Sequence, residues 1–248
     1  MRLHKYLRQE ALPTPFCPGC GCGTILNIFV HALDELNFDI KRLVCVTGIG
    51  CSSWIPSPYL LCDTLHTTHG RALAFATGVK LYRPDLSVVV IAGDGDLLAI
   101  GGNHLIHAAR RNISICTILV NNSIYAMTGG QVAPTTPKGV RTTTTPYGNP
   151  EAPMDAASLV AAAGAKFVAR FTTAHPFPLK RAIKTALNTE GFTFIEVLSQ
   201  CPVSYGKLSG LRNPADQLRL FKENSVRVRS LDEARKYPDK ITVGVLVG

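Results

Sequence analysis

Short runs of Val, Ile and Leu, each followed by a helical pattern, constrain the fold of this chain more than any other feature. Five such runs stand at residues 43–47, 86–92, 113–121, 166–170 and 192–198. A run that is apolar at nearly every position is typical of a strand buried on both faces of a parallel sheet. Helical patterns fill the gaps, at residues 24–36, 70–82, 103–111, 155–163 and 178–189. The sequence therefore predicts an α/β protein with a doubly wound, mostly parallel sheet.

The segment at residues 132–153 interrupts this pattern. It is rich in Pro, Thr and Gly, shows no usable periodicity and is too long for an ordinary connection in a compact domain. Because ligands of open α/β sheets bind beyond the carboxyl ends of the strands, we predict that it is an active-site loop. We place one domain at residues 1–210 and a C-terminal extension at 211–248, with a charged helix at 214–223 and a possible edge strand at 241–247.

Composition and charge narrow the functional classes. With 46% hydrophobic and 17% charged residues in 248, the chain has a core-forming composition. The basic residues Arg2, His4, Lys5 and Arg8 have no apolar stretch behind them, and no run approaches the roughly 18 apolar residues of a membrane span. Eight cysteines without a secretory signal favour reduced thiols and the cytoplasm. The net charge of +9 is spread along the chain, which favours an acidic partner or an anionic cofactor over nucleic acid.

Polar residues follow two strands that are consecutive in this pattern. The motif GDGD occupies residues 93–96, and Asn121-Asn122 ends the next run. Both motifs are expected at the same edge of the sheet, where the carboxylate of Asp94 and the amide of Asn122 make a hard-oxygen site suited to Mg²⁺. The glycines allow close approach to a diphosphate, and the helix after residues 101–102 adds its positive end.

Cysteines in two glycine-rich loops form a second motif. Cys17, Cys20 and Cys22 lie in CPGCGCG, and Cys51 lies in GIGCSS. Four soft thiolates favour Zn²⁺ or an iron–sulfur cluster. The fourth ligand is either Cys22 or Cys201, and spacing leaves both open. The remaining cysteines sit in or beside apolar runs and are predicted to be buried: Cys45, Cys62 and Cys116.

Two other features of the sequence, a GIG tripeptide and a pair of histidines, are considered as signs of a cofactor site. The sequence GIG at residues 48–50 lacks the third glycine of a dinucleotide fingerprint, so we discount it. His66 is interpreted as a structural histidine. His69 stands before Gly70-Arg71 at a predicted helix start, which makes it a candidate neighbour of a cofactor.

Taken in order, these motifs resemble the β subunit of the 2-oxoacid:ferredoxin oxidoreductases, which are thiamine-diphosphate enzymes with a [4Fe–4S] cluster. The resemblance runs from CPGCG at residue 17 through GIGCSSW, GDGDLLAIGGNHLIHAARRN and NNSIYAMTGGQ to CPVSYGK at residues 201–207. The strings HTTHGRALAFATG and MTGGQVAPTTPKG are most similar to the 2-oxoglutarate branch. The implied fold is the thiamine-diphosphate-binding, or diphosphate-binding, domain.

The resemblance also implies ligands. It assigns the [4Fe–4S] cluster to Cys17, Cys20, Cys51 and Cys201, and thus selects Cys201 over Cys22. It assigns Mg²⁺ to Asp94, the Asn122 side chain and the Ile124 carbonyl. Contacts to thiamine diphosphate are implied for Ile49, Gly50, Cys51, Ser52, His69, Gly95, Asp96, Ala126 and Met127.

The implied reaction is the coenzyme A-dependent oxidative decarboxylation of a 2-oxoacid, 2-oxoglutarate giving succinyl-CoA and CO2, with electrons passed to ferredoxin. No catalytic side chain is expected from this chain, because the activating carboxylate would come from a partner α subunit. One alternative is the same reaction on pyruvate or another 2-oxoacid. Another is a Zn²⁺ or iron–sulfur structural module that binds nucleic acid.

Overall fold

The computed structural model of the protein describes residues 5–248 and shows one eight-stranded sheet. The first four residues of the predicted domain, with Arg2 and His4, lie outside the described residues. The strands are β1 (Leu43–Thr47), β2 (Asp63–His66), β3 (Ser87–Gly93), β4 (Ile115–Asn121), β5 (Phe167–Thr172), β6 (Thr193–Leu198), β7 (Ser225–Arg227) and β8 (Ile241–Val247).

Helices cover both faces of this sheet. They are α1 (Gly21–Glu35), α2 (Ala72–Tyr82), α3 (Gly102–Arg110), α4 (Ala156–Ala162), α5 (Pro176–Asn188), α6 (Tyr205–Ser209), α7 (Pro214–Glu223) and α8 (Leu231–Ala234). Helices α1 and α5 pack with one buried apolar cluster, whereas α2, α3 and α4 pack with a second cluster on the other face. Within residues 5–248 we find no helix with both the length and the apolar composition that crossing a bilayer requires.

The strand order is β2-β1-β3-β4-β6-β5-β8-β7. All pairs are parallel except β5 with β8. Strands β1, β3 and β4 are apolar along almost their whole length because helices cover both of their faces. The predicted fold class, a doubly wound and mostly parallel α/β sheet, is confirmed.

Several local predictions differ from the structure. Strand β3 ends at Gly93, one residue beyond the predicted run, and residues Gly95–Ile100 form an unpredicted π-helical turn that leads into α3. Strand β8 is present but is not an edge strand, because β7 pairs with its outer side. The segment at 132–153 has neither helix nor strand, and hydrogen bonds such as Asn149 Nδ2 to the Thr136 carbonyl (2.8 Å) order it.

Candidate cofactor site and cysteine group

The carboxyl ends of β3 and β4 lie side by side, with Gly93 opposite Val120. Asp94 follows β3, and a tight turn after β4 carries Asn122 and Ile124. Ser123 has a φ of 62°, and its N–H donates to Asp94 Oδ2 at 2.8 Å. The structure therefore brings Asp94 and the turn with Asn122 and Ile124 to one edge of the sheet.

Asp94 is 3% exposed and accepts three hydrogen bonds. Gly95 N–H donates to Oδ1 at 2.9 Å, and Oδ2 receives both Ser123 N–H and the Thr135 hydroxyl, the latter at 2.5 Å. Burial raises the pKa of Asp94 to about 6, and the hydrogen bonds from Thr135, Gly95 and Ser123 oppose that rise. The carboxylate of Asp94 is thus fixed in position, and its negative charge is energetically unfavourable there unless a cation lies beside it.

A cavity of about 670 Å³ opens at this edge, a size typical of small-molecule sites. It is lined by most of the residues for which cofactor or Mg²⁺ contacts were predicted: Ile49, Gly50, His69, Asp94, Gly95, Asp96, Asn122, Ile124, Ala126 and Met127. Cys51 and Ser52 are not part of this lining and begin the short helical turn that follows Gly50. The predicted contacts thus divide into ten residues that face one cavity and two that do not.

Asp96 is the second buried carboxyl group of the cavity and is 2% exposed. Its Oδ1 accepts from Gly70 N–H and lies 3.2 Å from His69 Nδ1, which is also 3.2 Å from the Ile49 carbonyl. Burial is the main cause that raises the pKa of Asp96. Its Oδ2 is buried against Gly48 and has no hydrogen-bond partner within the described chain.

The chemistry of the lining suits a diphosphate bound through a divalent cation. No Lys or Arg of residues 5–248 lines the cavity, while two buried carboxyl groups do. The negative charges of these carboxylates would repel a diphosphate in direct contact with them. A divalent cation held between the diphosphate and the carboxylates would attract both. A carboxylate, an amide oxygen and a main-chain carbonyl are the ligands that Mg²⁺ takes in proteins. The residues present therefore fit a Mg²⁺–diphosphate cofactor.

Tyr125 is a cavity residue that the sequence did not single out. Its hydroxyl donates to the Gly95 carbonyl at 3.0 Å, and its ring packs so closely that a Cβ on Gly95 would lie 2.3 Å from it. Position 95 therefore accepts glycine only. Thr128 and Gln131 also line the cavity without having been assigned a role, whereas Gly93 belongs to the GDGD motif and Val132 and Thr144 to the predicted active-site loop.

The cysteines predicted as ligands converge beside the cavity. Gly21 N–H donates to the Gln200 carbonyl at 3.0 Å, which joins the end of the CPGC loop to the segment before Cys201. Burial and the nearby thiols of Cys20, Cys201 and Cys17 raise the pKa of Cys51 to about 11. The pKa of Cys201 is also raised, mainly by burial, although the N–H groups of Tyr205 and Ser204 favour its thiolate. Four thiols from three separate segments are therefore close together: those of Cys17, Cys20, Cys51 and Cys201.

This group is not packed like the ligands of a single ion. In the described chain the cysteines are free thiols, and no three His, Cys, Asp or Glu side chains are spaced to hold one metal ion. Thiolates around a four-iron cluster bind four different iron atoms and stand farther apart than ligands of one ion. Cys22 is 2% exposed and packs in the apolar core at the start of α1, and its thiol is also hydrogen-bonded with Cys20 and near Cys51 and Cys201. Cys45, Cys62 and Cys116 are buried in that core as well.

A buried ionic network supports the turn after β4 from inside the sheet. Arg170 Nε lies 2.6 Å from Glu196 Oε2 and also pairs with Asp155. Glu196 is 3% exposed, and its Oε1 accepts from Asn121 Nδ2 at 2.8 Å. Asn121 Oδ1 in turn accepts from Ser123 N–H at 3.1 Å. The position of the candidate Mg²⁺ turn thus depends on Glu196, one strand away on β6, and on Arg170, two strands away on β5.

We expect Glu196→Leu to lower the free energy of unfolding by about 3 kcal/mol, because it leaves the buried guanidinium of Arg170 with only Asp155 as a charged partner. Urea denaturation followed by circular dichroism measures the change. Glu35→Gln is the control, since Glu35 pairs with Lys180 and Lys184 at an exposed site and should change the midpoint much less. Equal midpoints for the two variants would show that the network contributes no special stability.

The fold and this carboxylate-lined edge define a thiamine-diphosphate-binding module. The family model described as "Thiamine pyrophosphate enzyme, C-terminal TPP binding domain" matches residues 48–197. This range begins at the loop before Cys51 and ends within β6, so it contains every residue that lines the cavity.

Known proteins that align with almost the whole chain make the family assignment more specific. The 2-oxoglutarate synthase subunit KorB of Methanocaldococcus jannaschii is 54% identical over 97% of this chain and 89% of the relative. The subunit of the same name from Methanothermobacter thermautotrophicus is 52% identical over 98% and 84%. A solved structure, 2-oxoglutarate:ferredoxin oxidoreductase from Magnetococcus marinus with 2-oxoglutarate, coenzyme A and succinyl-CoA bound, matches with a TM-score of 0.90 and 36% identity over 100% of this chain and 84% of that chain. The chain belongs to the thiamine pyrophosphate enzymes and, within them, to the KorB subunits of the 2-oxoacid:ferredoxin oxidoreductases. The family resemblance seen in the motifs is confirmed.

Proposed function

We propose that the chain is the β subunit of an oxidoreductase that converts 2-oxoglutarate and coenzyme A to succinyl-CoA and CO2. The two electrons released in this reaction pass singly through a [4Fe–4S] cluster to ferredoxin, so that two ferredoxins are reduced for each CO2 formed. The proposed cluster ligands are Cys17, Cys20, Cys51 and Cys201. The relatives carry the names of 2-oxoglutarate enzymes, and this supports 2-oxoglutarate over pyruvate as substrate.

One observation carries the proposal: the cavity and the cysteine group share a loop. Gly50 lines the cavity, and the next residue, Cys51, stands among the thiols. On the opposite side, Ser204 Oγ, three residues after Cys201, donates to the carbonyl of the lining residue Ala126 at 3.0 Å. A cofactor in the cavity and a cluster on the thiols would therefore be neighbours, as electron transfer between them requires.

The side chains of the cavity have separate tasks in this proposal. When bound, thiamine diphosphate supplies the electron sink for breaking the bond between the keto and carboxylate carbons. Asp94, the Asn122 amide and the Ile124 carbonyl would hold the Mg²⁺ that neutralises its diphosphate. The remaining contacts to the cofactor are proposed for Ile49, Gly50, Cys51, Ser52, His69, Gly95, Asp96, Ala126 and Met127.

The site needs a second subunit. Ile49 and Met127 line the cavity and yet are 47% and 48% exposed, so apolar wall faces outward in this chain. We propose that an α subunit covers this side, excludes water and supplies the carboxylate that activates the cofactor, and that coenzyme A enters the same composite site. The relatives are named as subunits, which supports an enzyme of several chains.

The net charge supports an acidic electron acceptor, and the free thiols support a particular cellular compartment. The net charge of +9 would steer an acidic carrier such as ferredoxin, and salt would weaken that attraction. Eight free cysteines are characteristic of a reducing compartment, and this supports a cytoplasmic enzyme.

Measuring kcat/KM with the isolated chain and with the complex reconstituted from both subunits tests the proposal. We expect no turnover by the isolated chain, and coenzyme A-dependent reduction of ferredoxin by the complex, faster with 2-oxoglutarate than with pyruvate. The rate of ferredoxin reduction should fall as ionic strength rises. Turnover by the isolated chain would contradict the composite site, and a preference for pyruvate would contradict the proposed substrate.

A further inference from the structure

The first turn of α7 touches two of the three segments that carry the proposed cluster ligands. Pro214, its first residue, packs against Gly19 between Cys17 and Cys20, where an added Cβ would lie 2.4 Å from the proline ring. Gly19 also has a φ of 76°, so this tight loop and its contact with the proline both require glycine. Helix α7 therefore fixes the shape of the CPGC loop from outside.

The same turn holds Cys201 by a hydrogen bond. Gln217 Oε1 accepts from the Cys201 N–H at 3.0 Å, and Gln217 Nε2 donates to the Leu211 carbonyl at 2.6 Å. The amide thus bridges the residue that carries the thiol and the chain that leads into α7. Both of its functional atoms are satisfied.

Gln217 is also the buried residue of α7, at 2% exposure, while the other residues of the helix, apolar ones included, are partly or fully exposed. An amide buried in place of an apolar side chain is unfavourable unless hydrogen bonds compensate for its lost hydration. A packing role alone would be filled better by Leu or Met. The buried amide is therefore explained by its two bonds, and one of these ends on Cys201.

We propose that Pro214 and Gln217 are positioning residues of the iron–sulfur site, and we call them the α7 clamp. They fix Cys201 and the Cys17–Cys20 loop at the spacing that a four-iron cluster needs. Residues 211–248 then take part in the cysteine site and are more than an appended segment. The inference rests on the proposed function, because it presumes that these thiols bind a cluster.

The test compares two substitutions of Gln217 in the complete enzyme, purified anaerobically with its partner subunit. Gln217→Met keeps nearly the same volume but removes both hydrogen bonds, whereas the carboxyl group of Gln217→Glu, kept protonated by burial, accepts from the Cys201 N–H and donates to the Leu211 carbonyl. Partners that orient metal ligands contribute about 10- to 100-fold to metal affinity. We therefore expect the Met variant to lose visible absorbance in air about tenfold faster or more, and to contain less iron and sulfide, while the Glu variant stays near wild type.

Lys222→Ala, at the exposed far end of α7, is the matched control and should behave as wild type. Pro214→Ala should fall between this control and Gln217→Met. Wild-type bleaching and iron content in the Met variant would overturn the clamp, and so would equal losses in the Met and Glu variants. Wild-type enzyme without iron and sulfide would instead overturn the proposed cluster itself. Thermal unfolding of each variant shows whether a loss reflects the site or the whole fold.

Discussion

Asp94→Ala is expected to abolish retention of thiamine diphosphate. Asp94 is the carboxylate next to the turn with Asn122 and Ile124 at the sheet edge, and no Lys or Arg of the described chain lines the cavity to compensate a diphosphate directly. Without it, the two remaining proposed ligands of Mg²⁺, the Asn122 amide and the Ile124 carbonyl, are both neutral, and the diphosphate charge is poorly compensated. We expect the affinity for the cofactor to fall by more than about 100-fold, beyond the range for residues that only orient a metal ligand.

The measurement is the thiamine diphosphate and magnesium content of the purified complex, with cofactor titration where content is low. Thr135→Val is the matched variant, because it removes one hydrogen bond to Asp94 and keeps the carboxylate. It should weaken binding far less. Asp94→Ala should retain its iron, since the cysteines lie outside the cavity. Full cofactor occupancy in Asp94→Ala would refute the assignment of this edge.

The parallel strands were predictable because burial on both faces leaves a continuous apolar run. The prediction for residues 43–47 agrees with β1 at both ends. Strand β2 was missed because it is short, partly exposed and polar at several positions, as the sequence Asp-Thr-Leu-His shows. Strand β7 has three residues and pairs only with β8, so no periodicity could reveal it.

The residues of the site were predictable where a functional side chain comes directly after the end of a predicted strand. Asp94 and Asn122 each come next to such an end, and the rule that parallel strands share a carboxyl edge brings them together. Thr135 reaches Asp94 from 41 residues along the chain, and no local pattern encodes that contact. Gln217 was hidden for a similar reason, because a single Gln in a charged helix carries no sign that it will be buried.

Cys201→Ser is expected to remove the cluster, whereas Cys22→Ser is expected to keep it. Cys201 lies in the group of thiols that influence Cys51, and the N–H groups of Ser204 and Tyr205 favour its thiolate form. Cys22 faces the apolar core from the first turn of α1, and a hydrogen bond with Cys20 and burial raise its pKa far above the usual value. Because burial raises the pKa of Cys51 and Cys201 as well, the expectation for Cys22 rests on its packing in the apolar core at the start of α1 and on the family resemblance, not on its pKa.

Cys22 nevertheless affects its neighbour. A hydrogen bond from its side chain lowers the pKa of Cys20 to about 7, against the effect of burial. A serine hydroxyl at position 22 can donate in the same way, so Cys22→Ser should retain iron, whereas Cys201→Ser replaces a soft ligand by a hard one. Iron and sulfide content and the visible spectrum of the two variants decide the question. Loss of iron in Cys22→Ser, with a full complement in Cys201→Ser, would make Cys22 the fourth ligand and leave Cys201 as a buried thiol held by α7.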